Sequence, residues 1–344
     1  SLAKKFSDCR ATAKMCGFMS ATHALTVNRS TSSKLFVSEQ VTDGSFHWTP
    51  WLTCALKKAR TRFCAANVNA QGGMFESGET LNVIRADSAC DPVAAVDAVT
   101  KLINVNGVSA IVGPVCSGAA IAQAESVSIP AGVVTLSVSA SSPAITNMED
   151  GTDLVFRTTA SDAYQGVALA ELAIANGYTD IAVSYANDDY NAAIADVFVQ
   201  AYEGLGGTVT ANEAHEPNKA SYRSEVATIG ATSENLALFS YYGSGGITLM
   251  RNALETGAFT NFIGADGMLS DELIEQLGAE NLTTSTFTTA ASDSSTPAFA
   301  AWQALAEAAG VPASDPFVPN SYDATFMMAL AIEAAGSADR DAIA

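Results

Sequence analysis

Residues 81–119 read LNVIRADSACDPVAAVDAVTKLINVNGVSAIVGPVCSGA. One β-branched run, "LNVIRA" (81–86), opens the stretch and another, "VSAIVG" (108–113), closes it. Between them Asp91 offers a side-chain acceptor to the first free amides of a helix and Pro92 pre-sets the backbone of its first turn. The helix is expected through Ile103, with Gly107 ending it and Val93, Val96 and Val99 forming its apolar stripe. Strand, helix and strand in this order are the pattern of a parallel sheet covered by helices.

The alternation continues downstream. Strands are expected at "GVVTLSV" (132–138), "DIAVSYA" (180–186), "TVTA" from 208, "NLALFSYY" (235–242) and "NFIGADG" (261–267). Helices are expected over about 119–128, 164–177, 191–203, 246–257, 297–310 and 321–336, with Ser270 capping another. The alternation marks an α/β chain, and two βα series without a linker suggest two similar lobes sharing one chain.

At 344 residues the chain is long enough for two domains, since single cores rarely grow past about 250 to 300 residues. Its 48% hydrophobic and 15% charged composition is that of a packed globular protein. No apolar run reaches the roughly 18 to 20 residues of a membrane helix, and the first residues do not read as a signal peptide. The net charge of -19 disfavours nucleic acid, whose phosphates call for clustered Lys and Arg. That charge is uneven. Residues 1–70 carry 10 of the 17 Lys+Arg and 3 of the 36 Asp+Glu, leaving 7 and 33 for the rest.

In open α/β sheets ligands bind at the carboxyl ends of the strands, which selects the loops after 86, 113, 138, 186, 242 and 265. An enzyme reading finds little there. No G-x-x-x-x-G-K-[ST] loop and no G-x-G-x-x-G after a strand occur, and "YYGSGG" (241–246) has Tyr242 where a nucleophile elbow needs glycine. Only His23, His47 and His215 exist, which leaves a triad or a metal site little to build on. No catalytic residue, metal or cofactor is assigned.

The loops offer other groups. Ser117 and "SASS" (139–142) present hydroxyl and amide donors suited to a carboxylate; Asp266 suits an ammonium; Tyr190 and Tyr242 supply amphipathic walls. Each also has a plain structural role open to it, as a cap, a turn or a core edge. Together they suit a small zwitterion.

"DSACDPVAAVDAVTKLI", "IVGPVCSGA", "FRTTASDAYQG", "FIGADG" and "SYDATFMMALAIEAAG" resemble the periplasmic solute-binding proteins of ABC transporters, the leucine/isoleucine/valine-binding type, across roughly residues 66–344. The resemblance implies a type I periplasmic binding fold: two Rossmann-like lobes, each a parallel sheet flanked by helices, that close on the ligand like a hinged clamp. One lobe would comprise 66–158 plus 291–344 and the other 159–290. It implies that Ser117, Ala140 and Ser141 hold the ligand carboxylate, Tyr190 and Tyr242 line the site, and Asp266 stands where well-known members carry Glu. The implied role is capture of an amino acid, branched-chain or related, and delivery to a membrane permease, by a periplasmic monomer that performs no chemistry. Alternatives are a binder of an amide, urea or aromatic acid in the same fold, or a ligand-sensing regulator or receptor domain.

Cys90 and Cys116 follow successive strands of the quoted stretch, placing both at the carboxyl edge of what read as neighbouring strands. Two buried thiols or a metal pair are open to them; the resemblance implies a disulfide, which an oxidising compartment permits.

Residues 1–65 depart from the family pattern, which opens with a strand, a ligand-contacting loop and a long helix. No strand, loop and helix are expected there. The shift in charge, together with Cys9, Cys16, Cys54 and Cys64, is what a reading-frame error produces, a divergent extension being the alternative. Members also continue beyond the "AAGS" helix (334–337), so the chain is expected to be a fragment.

Overall fold

The structure is a computed structural model. It describes residues 35–38 (backbone only), 63–75, 78–148, 153–313 and 316–344. The chain divides into two compact units, one running to Thr159 and resuming over Ala291–Ala344, the other Ala160–Ala290.

The first unit carries a five-stranded sheet: β1 (Leu35–Ser38), β2 (Val83–Ala86), β3 (Ala110–Val112), β4 (Val134–Ser137) and β5 (Val155–Arg157). Their order is β2-β1-β3-β4-β5, with every pairing parallel. Parallel strands covered on both faces read as continuous apolar runs, and all residues of β3 and β4 are buried. The Pro92–Asn104 helix starts as expected: Asp91 Oδ1 accepts the Ala94 amide at 2.8 Å. Its buried face keeps only Val99 of the expected valine stripe, with Val96 half-buried. Val93 is 70% exposed, and Ala95, Val99, Leu102 and Ile103 face the core. A 3.6-residue period permits either stripe, and Val93 falls in the first turn on the exposed side. Val99, Leu102, Ile111, Leu136, Met328 and Ile332 belong to one buried cluster.

The absence of a strand expected in 1–65 is corrected by β1. Its backbone pairs Leu35 with Val83 and Val37 with Val112, so it lies between β2 and β3. A β-branched and aromatic run, "LFVS", suits such a position. The remaining expectations for 1–62, including the frame error and the roles of Cys9, Cys16 and Cys54, lie outside the described residues.

The second unit repeats the plan: β6 (Asp180–Ala186), β7 (Thr208–His215), β8 (Asn235–Phe239), β9 (Asn261–Gly264) and β10 (Ser285–Phe287), ordered β10-β9-β8-β6-β7 and all parallel. The Asp162–Ala175 and Asn191–Gly204 helices pack closely because Gly166 has no side chain. A Cβ there would stand 2.7 Å from Val197 Cγ1. Leu169, Ala173, Phe198, Tyr202, Phe239 and Ile263 share the core. β5, β10 and the Arg223–Ile229 helix were not expected; each is short, and the two strands are only partly buried, so neither carries a strong apolar pattern.

Candidate functional site

In the first unit the candidate residues converge on the carboxyl ends of β3 and β4. Ser137 Oγ donates to the Pro114 carbonyl at 2.7 Å and accepts the Ala140 amide at 3.2 Å. Ser139 Oγ donates to the Val115 carbonyl at 2.9 Å, and Ser117 Oγ accepts the Ser142 amide at 3.2 Å. The loop from β4 is thereby stitched to the loop from β3. Ser142, not Ser141 or Ser117, does the capping, accepting the Ala144 amide ahead of the Pro143–Thr146 helix. Ser117, Ala140 and Ser141 are therefore brought together and buried, at 2%, 0% and 8% exposure.

Their donors are not equally free. The Ala140 amide is committed to Ser137, while the Ser117 hydroxyl keeps its proton to donate. Among the described residues neither the amide nor the hydroxyl of Ser141 makes a hydrogen bond, so this buried residue offers two donors. Arg157 is a residue that sequence reasoning missed: its Nη1 donates to the carbonyls of Ser141 (3.1 Å) and Ser142 (2.7 Å), and its Nη2 to Thr146 Oγ1. A signal existed, since residues 71–344 hold only 7 Lys+Arg and Arg157 lies inside the motif "FRTTASDAYQG".

Cys90 and Cys116 form a disulfide with 5.4 Å between Cα atoms. The expectation of neighbouring strands is corrected, because β1 lies between β2 and β3. The span is closed by the loop after β2, where Ala89 and Cys90 both adopt positive φ (49° and 54°) and Asp87 Oδ1 accepts the Ala89 amide at 2.8 Å. That turn leads Cys90 to Cys116 at the start of the Ser117–Gln123 helix.

In the second unit Tyr190 and Asp266 meet. The Tyr190 hydroxyl donates to Asp266 Oδ1 at 3.2 Å, and Gln165 Nε2, unforeseen from the sequence, donates to the same oxygen at 2.9 Å. Oδ2 takes neither donor. Asp188 Oδ1 accepts the amides of Tyr190 (3.0 Å) and Asn191 (2.9 Å), which sets Tyr190 at the head of the Asn191–Gly204 helix. The aromatic partner of Tyr190 is Tyr241, stacked at 5.3 Å between centroids and 25° between planes. β8 ends at Phe239, and the Tyr242–Ser244 turn carries Tyr242 into a buried position, at 9% exposure. A run written "YY" does not say which ring faces the loop after β9; the end of the strand decides it.

The electrostatics are acidic. Burial pushes the Asp266 carboxyl above its ordinary range, while the Gln165 and Tyr190 donors hold it down. Burial also raises both tyrosine hydroxyls well above their usual value, with Asp266 and Asp162 adding to it at each. No Lys or Arg forms an ion pair with Asp266 among the described residues. Also among the described residues, no cluster of three or more His, Cys, Asp or Glu has metal-binding geometry.

A model of the periplasmic binding protein family matches residues 58–344. The chain belongs to this family. Among curated relatives, this periplasmic binding protein is 28% identical over 296 residues to the leucine-, isoleucine-, valine-, threonine- and alanine-binding protein of Pseudomonas aeruginosa, covering 84% of the chain and 76% of the relative. It is 27% identical over 215 residues to an amino acid binding protein of the same species, covering 62% of the chain but only 56% of that relative, a little over half its length. The crystal structure of a leucine binding protein, LivK, from Thermotoga maritima superposes with a TM-score of 0.71 at 24% identity, covering 85% of the chain and 82% of the other. The fold of this periplasmic binding protein is accordingly type I, two α/β lobes with parallel sheets flanked by helices.

Proposed function

We propose that this chain is the extracytoplasmic substrate-binding component of an ABC uptake system, capturing an amino acid, branched-chain or related, and handing the closed complex to a membrane permease. It acts in the periplasm as a monomer and performs no chemistry on its ligand. The observation that carries this reading is Asp266: a carboxylate pushed up by burial, with both side-chain donors on Oδ1, two tyrosine rings nearby and no cationic partner among the described residues. An ammonium group on Oδ2 supplies the missing charge. An aromatic acid has no such group, and its own carboxylate would be repelled.

In the first unit, the Ser117 hydroxyl and the amide and hydroxyl of Ser141 are the donors we assign to a carboxylate. Tyr190, with Tyr241 or Tyr242, walls the site. The relatives named for branched-chain amino acids support this ligand class.

Calorimetry against a panel of amino acids, amides and aromatic acids tests the reading. Leucine, isoleucine or valine is expected to bind, and Asp266→Asn to weaken binding by about 30-fold or more, since breaking a buried charge pair costs roughly 2–5 kcal/mol. Unchanged affinity in Asp266→Asn, or binding of aromatic acids alone, would show the zwitterion reading to be wrong.

A further inference from the structure

Gln165 lies shortly after the point where the chain enters Ala160–Ala290, and Thr288 shortly before the point where it leaves. The Gln165 Nε2 atom reaches both that exit and the acidic site: Asp266 Oδ1 at 2.9 Å, Thr288 Oγ1 at 3.1 Å and the Thr288 carbonyl at 3.3 Å. An amide nitrogen has two hydrogens, so three acceptors share them and Asp266 takes the shortest contact. One side chain thus joins the entering helix, the leaving segment and the carboxylate.

We propose that Gln165 is a positioning residue for ligand capture: its amide pins Asp266 Oδ1 and ties the exit segment at Thr288 to it, so that Oδ2 stays turned toward the ligand's ammonium. This rests on the reading of Asp266 as the ammonium partner. It goes beyond that reading in that a side chain that need not touch the ligand sets the orientation of one that does.

The alternative is that Gln165 only fills space at the helix start. The two roles differ in what happens to the carboxyl. With the Gln165 donor gone, Asp266 keeps its burial but has only the Tyr190 hydroxyl left among its side-chain donors, at 3.2 Å. Among the described residues no charged side chain shifts Asp266 directly; the carboxylates nearby act on the tyrosines, Asp162 on Tyr190 and Tyr241 and Asp188 and Asp189 on Tyr241. Loss of the donor therefore makes Asp266 easier to protonate.

The test is a carbon-13 NMR titration of the aspartate side-chain carboxyls in the ligand-free full chain, with Asp266→Asn to assign the resonance. Gln165→Leu, which keeps the bulk and removes the donor, is expected to raise the proton affinity of Asp266 about tenfold. Gln165→Glu, with a like charge in donor range, is expected to raise it further. L-leucine affinity measured across pH 5 to 8 is expected to show its acid limb displaced to higher pH in both variants. An unchanged Asp266 titration in either folded variant overturns the proposal, and the second variant serves if the first does not fold. Because that arm is read without ligand, its failure is separable from that of the amino-acid reading, which shows instead as absence of leucine, isoleucine and valine binding to the unsubstituted chain.

Discussion

His215 gives the second lobe an acid-sensitive joint. It ends β7 and is 2% exposed; Nδ1 lies 2.9 Å from Ser184 Oγ on β6 and Nε2 lies 3.3 Å from Ser240 Oγ just past β8. Its ring also meets Tyr222 edge-on at 5.4 Å. Burial, reinforced by Lys219 and opposed by Glu225 and Glu216, lowers its pKa from 6.5 to about 4. A folded-state pKa below the unfolded value means that the unfolded chain binds the proton first. Stability is therefore full above about pH 6.5 and declines as the pH falls toward 4. A difference of about 2.5 in pKa, at about 1.4 kcal/mol each, totals about 3.5 kcal/mol; roughly 2.5 kcal/mol of it is lost by pH 4.5.

Asp188 and Asp266, whose carboxyls are raised by burial, act in the opposite direction. A comparison with His215→Gln removes them, since they are common to both proteins. Urea unfolding of the full chain by far-ultraviolet circular dichroism is expected to show the variant less stable at pH 7, by about 1–3 kcal/mol from lost hydrogen bonds and packing. At pH 4.5 that gap is expected to shrink by roughly 2.5 kcal/mol or to reverse. A gap that stays constant within about 1 kcal/mol between the two pH values would refute the reasoning, because the imidazole would then titrate alike in both states.

Two further substitutions probe the packing that places the site. Gly166→Ala puts a methyl 2.7 Å from Val197 Cγ1, so the two helices must part; a loss of about 1–3 kcal/mol in urea unfolding is expected, and no loss would show that this contact yields without cost. Cys90→Ala with Cys116→Ala opens a loop of sequence separation 26, which the chain-entropy model values at about 3.5 kcal/mol. Differential scanning calorimetry under oxidising conditions checks this, and an unchanged transition of the first unit would mean that the bond contributes nothing.

The architecture was legible because its signals are local. β-branched runs, glycine stops and caps such as Asp91 and Ser270 act over a few residues, and Asp91 and Ser270 cap where expected. Short elements without a buried run, β5 and β10 among them, carried no such signal. Within the site, the sequence pointed to Tyr190 and Asp266, and the structure joins them through one hydrogen bond. It could not point to Gln165, whose partners are 101 and 123 residues away, or choose between Tyr241 and Tyr242.

The sequence by itself determined the alternation of the principal strands and helices, the division of the chain into two α/β series and the acidic, histidine-poor chemistry of their loops. Tertiary structure alone decided which face of the Pro92–Asn104 helix is buried, that β1 separates the strands before the two bonded cysteines, and which side chains orient the Asp266 carboxylate. The reason lies in range. Periodicity and capping are set by a residue's neighbours along the chain, whereas a hydrogen bond to Asp266 depends on where two distant helices and a strand end come to rest.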